Sequence, residues 1–493
     1  MRRAVAWASI GLASSQLSRI VVALMLARIL GPTKFAPIAA GAVFMTYVSL
    51  SVDLGLVSAI IQRPSLTSRH LRTAALMSWA CGSLFAVGTV AACLAGLAGP
   101  LGSTTMLLFC MLSVAPLIRS IGLVSQSRLY REQRQHLIGM AETGVALISL
   151  VCCVVALVLG LGEFAYVVSV LAADVALTIA WIWLSGPFPW PRWDRESFRE
   201  LWSFSSKSFG SDALAVSSRN IDSIIVGWMA GAAQLSVYSV GVRFLVTPVQ
   251  FLGEVIVRVA LPEFSERHRA GQSLGPVLLS RTKSLSVAIW PTLTMAFFVA
   301  PWLVPVVLGE QWGSAVPVTQ ILCVVGAAQV SVGFVRPAMW SVGAVKPYFL
   351  LTVAMFAVSL PVYLVAANWG AVGIATGYAL IALALAPAMS TVGSRTLGLR
   401  PARTLAAVFS GVPVAAAVAL PVLLVGFLLR DPAQRALVQA AIAVALFLLV
   451  MVMAFRRGLL HPRSAGSASA EPADQGGGFA EPDSPVAVAV DHR

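Results

Sequence analysis

The chain is divided into about fourteen apolar stretches that are joined by short connections. Lipid offers no hydrogen-bond partner to an exposed backbone group, so an apolar stretch of about 20 residues is typical of a helix that crosses a bilayer. Of the 493 residues, 58% are hydrophobic and only 11% are charged, too few charges to cover a soluble surface. The sequence therefore predicts an all-α polytopic membrane protein and excludes a soluble, a disordered or a disulfide-rich chain. The predicted spans are 4–30, 36–61, 74–97, 104–123, 138–159, 164–185, 205–230, 236–261, 284–308, 315–340, 347–367, 370–392, 404–428 and 435–455.

The positive charges are distributed unevenly between the two sets of connections. When the N-terminus is placed with the even-numbered connections, 24 Lys and Arg residues lie on that side and 3 on the other. Cytoplasmic loops carry the excess of Lys and Arg in membrane proteins, so we expect both termini to be cytoplasmic. Arg119 is assigned here to the connection after span 4.

Two segments fall outside the predicted spans. Residues 186–204 are rich in Pro and Trp and form a cytoplasmic linker after span 6, with aromatic side chains that suit the headgroup layer. Residues 464–493 are rich in Ser, Ala, Gly, Pro and acids, which predicts a disordered tail.

The cysteines and histidines do not indicate a metal centre or a cofactor. All six cysteines lie inside predicted spans without metal-ligand spacing, and the five histidines lie in connections or in the tail. The acids of the external connections, Glu163, Glu310 and Asp431, are isolated. We therefore expect no catalysis and no cofactor.

Charged residues inside the spans are the candidates for function, because each costs at least ~2.5 kcal/mol at bilayer depth unless it faces water or a partner. The arginines are Arg19, Arg28, Arg219, Arg243, Arg258 and Arg336, and the acids are Asp53, Glu142, Asp174, Asp212, Asp222 and Glu254.

Span 1 carries two of these arginines. Arg19 lies near the middle of the span, so it either faces a cavity or belongs to a buried structural pair. Arg28 lies closer to the outer end, where its side chain can extend to the membrane surface.

The charged residues of spans 7 and 8 can each be interpreted in two ways, as cavity-lining residues or as structural contacts. Arg219 and Asp222 are three residues apart and either neutralise each other or face a cavity. Along span 8, a polar stripe falls within roughly 80° of one face, so it either lines a lumen or joins neighbouring helices. Its members are Arg243, Thr247, Gln250, Glu254 and Arg258, and the last two are placed to pair.

The remaining acids are expected to make polar contacts between spans. Asp53 is expected to pair with a basic residue of a neighbouring helix, and Glu142 and Asp174 to form contacts between spans 5 and 6. The interior is therefore mostly cationic, which favours an anionic cargo. A cation-coupled drug exporter would instead need an unpaired carboxylate on span 1, which has none.

Several short stretches resemble the bacterial polysaccharide-transporter (Wzx-type) flippases of the MOP superfamily, in the order in which that family has them. They cover about residues 14–330. They are Ser18-Arg19-Ile20, Asp53-Leu54-Gly55, Gln126-Ser127-Arg128-Leu129-Tyr130, Asp222-Ser223-Ile224-Ile225-Val226-Gly227 and Gly309-Glu310-Gln311-Trp312.

The resemblance implies two pseudo-symmetric lobes around a central cavity that opens alternately to each side of a bacterial inner membrane. The regions would be an N-terminal lobe (1–185), the linker (186–204), a C-terminal lobe (205–395), spans 13 and 14 (396–463) and the tail (464–493). The cargo of the family is a polyprenyl-diphosphate-linked oligosaccharide, which moves from the cytoplasmic to the periplasmic leaflet. By position, Arg19 and Arg243 would lie near the diphosphate.

These observations predict a flippase that works as a monomer among membrane lipids, without nucleic acid, beside a polysaccharide polymerase and glycosyltransferases. The expected cavity residues are Arg19, Arg219, Arg243 and Arg258. Asp53, Asp222 and Glu254 either bind a coupling ion, H⁺ or Na⁺, or pair with charges. The alternatives are a multidrug antiporter of the same fold and, from another class, a membrane glycosyltransferase or polymerase.

Overall fold

The computed structural model describes residues 2–63, 65–96, 102–429 and 431–456, with side chains from Ser14 onward except that of Gln135. Within these residues every regular element is a helix, as the apolar stretches predict. The acidic tail and its predicted disorder lie outside the described residues. The α-helices are α1 (Arg2–Asp53), α2 (Leu56–Gln62), α3 (Ser68–Leu94), α4 (Ser103–Leu112), α5 (Val114–Arg131), α6 (Gln135–Val158), α7 (Ala165–Ser185), α8 (Arg195–Ile225), α9 (Ala232–Gly241), α10 (Thr247–Arg269), α11 (Gly275–Leu308), α12 (Ala315–Ser331), α13 (Val335–Ser341), α14 (Val345–Ala366), α15 (Gly370–Thr396), α16 (Pro401–Val408), α17 (Val412–Leu428) and α18 (Pro432–Arg456).

Eleven stretches of the described chain are long and apolar enough to cross a membrane. The predicted number of fourteen is not confirmed by this count and stays a prediction. The two longest of the eleven, Ser14–Asp53 and Val345–Thr396, each contain a break: Gly31 interrupts α1 with φ 73° and ψ 175°, and a 3₁₀ turn at Ala367–Trp369 separates α14 from α15. α8 has 31 residues but is not among the eleven, because it is rich in polar and charged residues.

The helices form two lobes. We call α1–α7 the first lobe and α8–α15 the second lobe, and α16–α18 pack against α11 of the second lobe. Because the connections alternate between the two ends of the bundle, each end has its own set. We call the end with Gly31 and Gly309 the glycine end, and the end with residues 186–194 the linker end.

An internal repeat is visible in the backbone of the glycine end. Gly31 (φ 73°, ψ 175°) has its counterpart in Gly231 (φ 90°, ψ 167°), and Gly102 (φ 89°, ψ 159°) has its counterpart in Gly309 (φ 101°, ψ 158°). A residue with a Cβ is strained at such positive φ values, so these turns require glycine. The two lobes therefore reverse direction with the same local geometry, as expected for a pseudo-symmetric pair.

The two lobes share one apolar core at the glycine end. Trp312 of the second lobe is fully buried against Phe35 of the first, with ring centroids 5.7 Å apart in an edge-to-face arrangement. The indole Nε1 of Trp312 also donates a hydrogen bond to the backbone oxygen of Ala27, at 3.0 Å. This contact closes the space between the lobes at the glycine end.

Towards the linker end the lobes have separate cores. Leu56 and Ile60 belong to a cluster of the first lobe, and Phe264 and Leu278 belong to a cluster of the second. Apart from α8, no element of the second lobe joins the first-lobe cluster among the described residues, so the lobes share no apolar core at that depth.

α8 begins on the first lobe and ends in the second. Asp194 caps its N-terminus by accepting from the backbone N–H of Ser197 at 2.9 Å, and the hydrogen bonds from Ser197 lower the pKa of the Asp194 carboxyl. Leu201 is buried in the first-lobe cluster, whereas Ile225 lies in the core that both lobes share. The helix therefore connects the lobes mechanically.

A polar cluster holds the first turns of α8 on α3. The backbone N–H of Thr67 donates to Nδ1 of His70 at 3.2 Å, so Nε2 carries the ring proton and donates to Glu200 at 2.8 Å. Arg63 forms an ion pair with the same carboxylate. The hydrogen bond from His70 and the charge of Arg63 lower the pKa of the Glu200 carboxyl.

The substitution Gly411→Ala tests the packing of α16 and α17 on α11. Gly411 donates its N–H to Ser286 Oγ at 3.1 Å, and an added Cβ would lie 2.0 Å from the backbone oxygen of Ser286. Backbone atoms must then move apart, so we expect the free energy of unfolding to fall by about 1–3 kcal/mol. The measurement is the melting temperature of the purified protein in detergent, which should be lower.

Gly426→Ala is the matched control. Its added Cβ would meet Nε2 of Gln439, the flexible end of a side chain, which can turn away at the cost of one hydrogen bond, about 1 kcal/mol. Equal melting temperatures for the two variants would contradict this account of the packing.

Candidate functional site

Arg119 forms an ion pair inside the first lobe. Its Nε donates to Oδ2 of Asp174 on α7 at 2.9 Å, and its Nη1 donates to Ser49 Oγ on α1. The Arg119 side chain is 29% exposed and that of Asp174 only 6%. The assignment of Arg119 to a connection was therefore wrong, because α4 and α5 belong to one stretch, Ser103–Arg131, that is long and apolar enough to cross a membrane, and Arg119 lies near its middle. The expected contact of Asp174 between spans 5 and 6 was also wrong. Its ion-pair partner, Arg119, lies on α5, the helix that corresponds to span 4.

Arg19 is solvent-exposed although it lies at mid-length in a membrane-spanning helix. It is within electrostatic range of Arg119, Glu142 and Asp174, which belong to three other helices of the first lobe. Arg19 forms no ion pair within the described chain, so the alternative of a buried structural pair is not what the structure shows. The cavity interpretation of Arg19 stays a prediction.

Tyr166 brings the arginines of the two lobes together. This side chain of α7 is within electrostatic range of Arg19 and Arg119 from the first lobe and of Arg243 from the second. We call Arg19, Arg119 and Arg243 the arginine cluster. Sequence reasoning missed Arg119 and Tyr166; the position of Arg119 inside an apolar stretch was a signal for the first, and nothing in the spacing indicated the second.

The polar stripe of span 8 is accessible in the structure. Gln250, Glu254 and Arg258 of α10 are exposed, and Arg243 is partly exposed. The predicted ion pair between Glu254 and Arg258 is wrong, because the two side chains form no contact within 4.0 Å. Both side chains are exposed, which lowers the gain from pairing. The interpretation of the stripe as cavity-lining stays a prediction.

Asp222 pairs with a tyrosine and not with Arg219. The Asp222 carboxylate is buried and accepts a hydrogen bond from the Tyr238 hydroxyl at 2.5 Å. The predicted neutralisation of Arg219 by Asp222 is therefore wrong, because the turn at Gly231 brings Tyr238 to the carboxylate first. Arg219 is exposed and lies twelve residues before Gly231, as Arg19 lies twelve residues before Gly31.

Asp53 also lacks the basic partner that was expected. Its Oδ1 accepts a hydrogen bond from the backbone N–H of Val57 at 3.0 Å, at the start of α2. The chain turns at Leu54 and Gly55, with φ of 47° and 72°, which frees this N–H from the preceding helix. Asp53 therefore caps α2, and the charge-pairing interpretation was wrong.

Arg28 is exposed and joins the two lobes at the glycine end. Its Nη1 donates to the backbone oxygens of Val306 and Val307 at 2.8 and 2.7 Å, at the end of α11. Gln311 returns the contact by donating from Nε2 to the backbone oxygen of Arg28 at 3.2 Å. The last carbonyls of a helix lack partners within the helix, so Arg28 satisfies them and holds the glycine end closed.

Comparisons with known proteins agree with this geometry. The chain is 25% identical to the teichuronic acid biosynthesis protein TuaB of Bacillus subtilis over 292 residues, which cover 58% of this chain and 59% of the relative. It is 24% identical to the lipopolysaccharide biosynthesis protein WzxC of Escherichia coli over 371 residues, 72% of this chain and 73% of the relative. The chain thus spans about three fifths of the first relative and about three quarters of the second.

The fold is shared with a solved transporter structure. The structure described as lipid II flippase MurJ, inward closed conformation, superposes with a TM-score of 0.70 and 12% sequence identity, over 91% of this chain and 99% of that one. Residues 25–317, more than half of the chain, match a family model described as polysaccharide biosynthesis protein. The chain therefore belongs to this family of polysaccharide biosynthesis proteins.

Proposed function

We propose that the protein is a flippase that moves a polyprenyl-diphosphate-linked oligosaccharide from the cytoplasmic to the periplasmic leaflet of a bacterial inner membrane. The observation that carries this proposal is the arginine cluster, in which guanidinium groups of both lobes lie within electrostatic range of Tyr166. The relatives are named for teichuronic acid and lipopolysaccharide biosynthesis, so a sugar repeat unit for a surface polysaccharide is the proposed cargo.

The cluster is suited to a diphosphate. Guanidinium groups donate planar pairs of hydrogen bonds to phosphate oxygens, and charged hydrogen bonds are about twice as strong as neutral ones. Arg19 and Arg243 approach from opposite lobes, so both lobes would hold the anion at once. Arg219 and Arg258, both exposed, are proposed to contact the cargo further along the cavity.

Access is proposed to alternate by a rocking motion of the lobes. In this conformation the glycine end is closed by Trp312, Arg28 and Gln311, and the space between the lobes is proposed to open to the linker end. The charge asymmetry of the connections supports a cytoplasmic linker end and cytoplasmic termini. This orientation would admit the cargo from the leaflet in which it is assembled.

The same proposal covers partners and chemistry. We expect a monomer that carries its cargo without catalysis and passes it to a polysaccharide polymerase, with glycosyltransferases supplying it on the cytoplasmic side. The antiporter alternative is less supported, because span 1 presents an arginine to the cavity and no carboxylate. Drug efflux that depends on a Na⁺ or H⁺ gradient would favour it.

The substitutions Arg19→Ala and Arg243→Ala test the cargo site. Each removes charge-assisted hydrogen bonds worth about 1.5–3 kcal/mol, so cargo affinity should fall roughly 10- to 150-fold. Surface polysaccharide should then be lost in a strain that depends on the variant, while membrane protein levels, measured by immunoblot, stay unchanged.

Arg269→Ala is the matched control, since this exposed side chain donates, among the described residues, to the backbone oxygen of Ser265 on its own helix. Polysaccharide should be made normally with this variant. Normal export with both cavity variants, or its loss with Arg269→Ala, would contradict the proposed site.

The substitution Trp312→Ala tests the closed glycine end. It removes the buried ring and the hydrogen bond to Ala27, so the glycine end should open more often. In a background without native cysteines, Gln250→Cys on α10 should react several-fold faster with a membrane-impermeant maleimide added from outside. The control Trp302→Ala, a partly exposed tryptophan of α11, should leave the rate unchanged. Equal labelling in both variants would count against the gate.

A further inference from the structure

The charges around Tyr166 do not balance. The arginine cluster contributes three guanidinium groups, and the carboxylates within electrostatic range of it are Asp174 and Glu142. The empty site therefore has an excess of one positive charge. A diphosphate linked at both ends, to a lipid and to a sugar, brings two negative charges, so the occupied site would have an excess of one negative charge.

An uncompensated charge in a site of low polarity is costly, and carboxyl groups respond by taking up a proton. Asp174 is the better placed of the two carboxylates. Its side chain is 6% exposed and its ion-pair partner is Arg119, whereas Glu142 is partly exposed and lies beside Arg19. If Arg119 turns to the cargo, Asp174 is left buried without a cation in contact.

The groups that face Asp174 allow this exchange. They are Arg119 of α5, Arg19 of α1 and Tyr166 of α7 itself. The neighbouring α4 carries no Asp, Glu, Lys, Arg or His, and Glu142 of α6 interacts with Arg19. Both arginines within electrostatic range of Asp174 are thus members of the cluster that the cargo would engage.

We propose that cargo binding moves Arg119 from Asp174 to the diphosphate and that Asp174 takes up one proton in the same step. The Nε–H hydrogen bond to Oδ2 breaks, a phosphate oxygen accepts from the guanidinium group, and an O–H bond forms at Asp174 with a proton from water. The occupied site is then neutral. This inference rests on the proposed function and identifies the proton as the ion that accompanies the cargo.

Calorimetry measures this proton directly. The probe is farnesyl-diphosphate-N-acetylglucosamine, a diester that carries two negative charges between pH 6 and 8 and does not titrate there. Its binding to the purified full-length protein is measured at about pH 7.5 in two buffers with different ionisation enthalpies. We expect the unsubstituted protein to take up about one proton on binding the probe and Asp174→Asn to take up none. The matched control is Glu142→Gln, which should still take up about one proton.

The affinity should follow the same pattern. With one proton taken up, the Kd of the unsubstituted protein should rise about tenfold per pH unit between pH 7 and 8, and that of Asp174→Asn should stay constant. The proton count of the unsubstituted protein remains decisive if Asp174→Asn does not fold.

The two failures are distinguishable. No binding of the probe by the unsubstituted protein would overturn the proposed function. Binding without proton uptake would overturn only the inference, as would uptake that Glu142→Gln abolishes and Asp174→Asn retains.

Discussion

A guanidinium group at bilayer depth must face water or a carboxylate, and the arrangement of the first lobe follows from this requirement. Arg119 joins three helices, because its guanidinium group binds Asp174 on α7 and Ser49 on α1 from its own position on α5. Among the described residues, Arg19 and Arg243 have no carboxylate within ion-pair distance, so water is the partner that we expect for them. Water around these side chains is thus a condition for placing them in a membrane, and the same residues are the ones proposed to bind an anionic cargo.

The backbone of the two lobes follows the internal repeat, whereas the buried charged residues do not. Gly31 and Gly231 reverse the chain with the same geometry in the two lobes, and Arg19 and Arg219 lie at the same distance before them. The buried polar pairs differ, however. The first lobe holds an ion pair between arginine and aspartate, and the second holds a carboxylate bound by a tyrosine hydroxyl. A pseudo-symmetric scaffold therefore carries different buried polar pairs in its two lobes, and the proposed anion site draws its buried carboxylate from the first lobe.

The helical membrane fold could be predicted from the sequence because apolar length is a local property, whereas partners across helices could not. Arg19 was found because it interrupts an apolar stretch at its centre. Arg119 was missed since it lies near one end of a predicted span, where loop cations are also expected. The pairing of Asp222 with Tyr238 depends on the turn at Gly231. Residue spacing along one helix shows which side chains are close enough to pair, but not which of the available partners a carboxylate binds. For the same reason Asp53 was assigned a cation, although the turn at Gly55 supplies a nearer backbone donor.

The contacts at the glycine end explain how a closed end can also open. Arg28, Gln311 and Trp312 all bind backbone atoms of the opposite lobe, so the contact consists of a few hydrogen bonds of about 1 kcal/mol each and one aromatic pair. Such a contact can be exchanged for new packing at the linker end when the lobes rock. α8 must change shape in that motion, because its first turns are fixed to α3 and its last turn is buried with Asp222. The exposed, polar middle of this helix is where few contacts oppose bending, and it is also the part that borders the cavity.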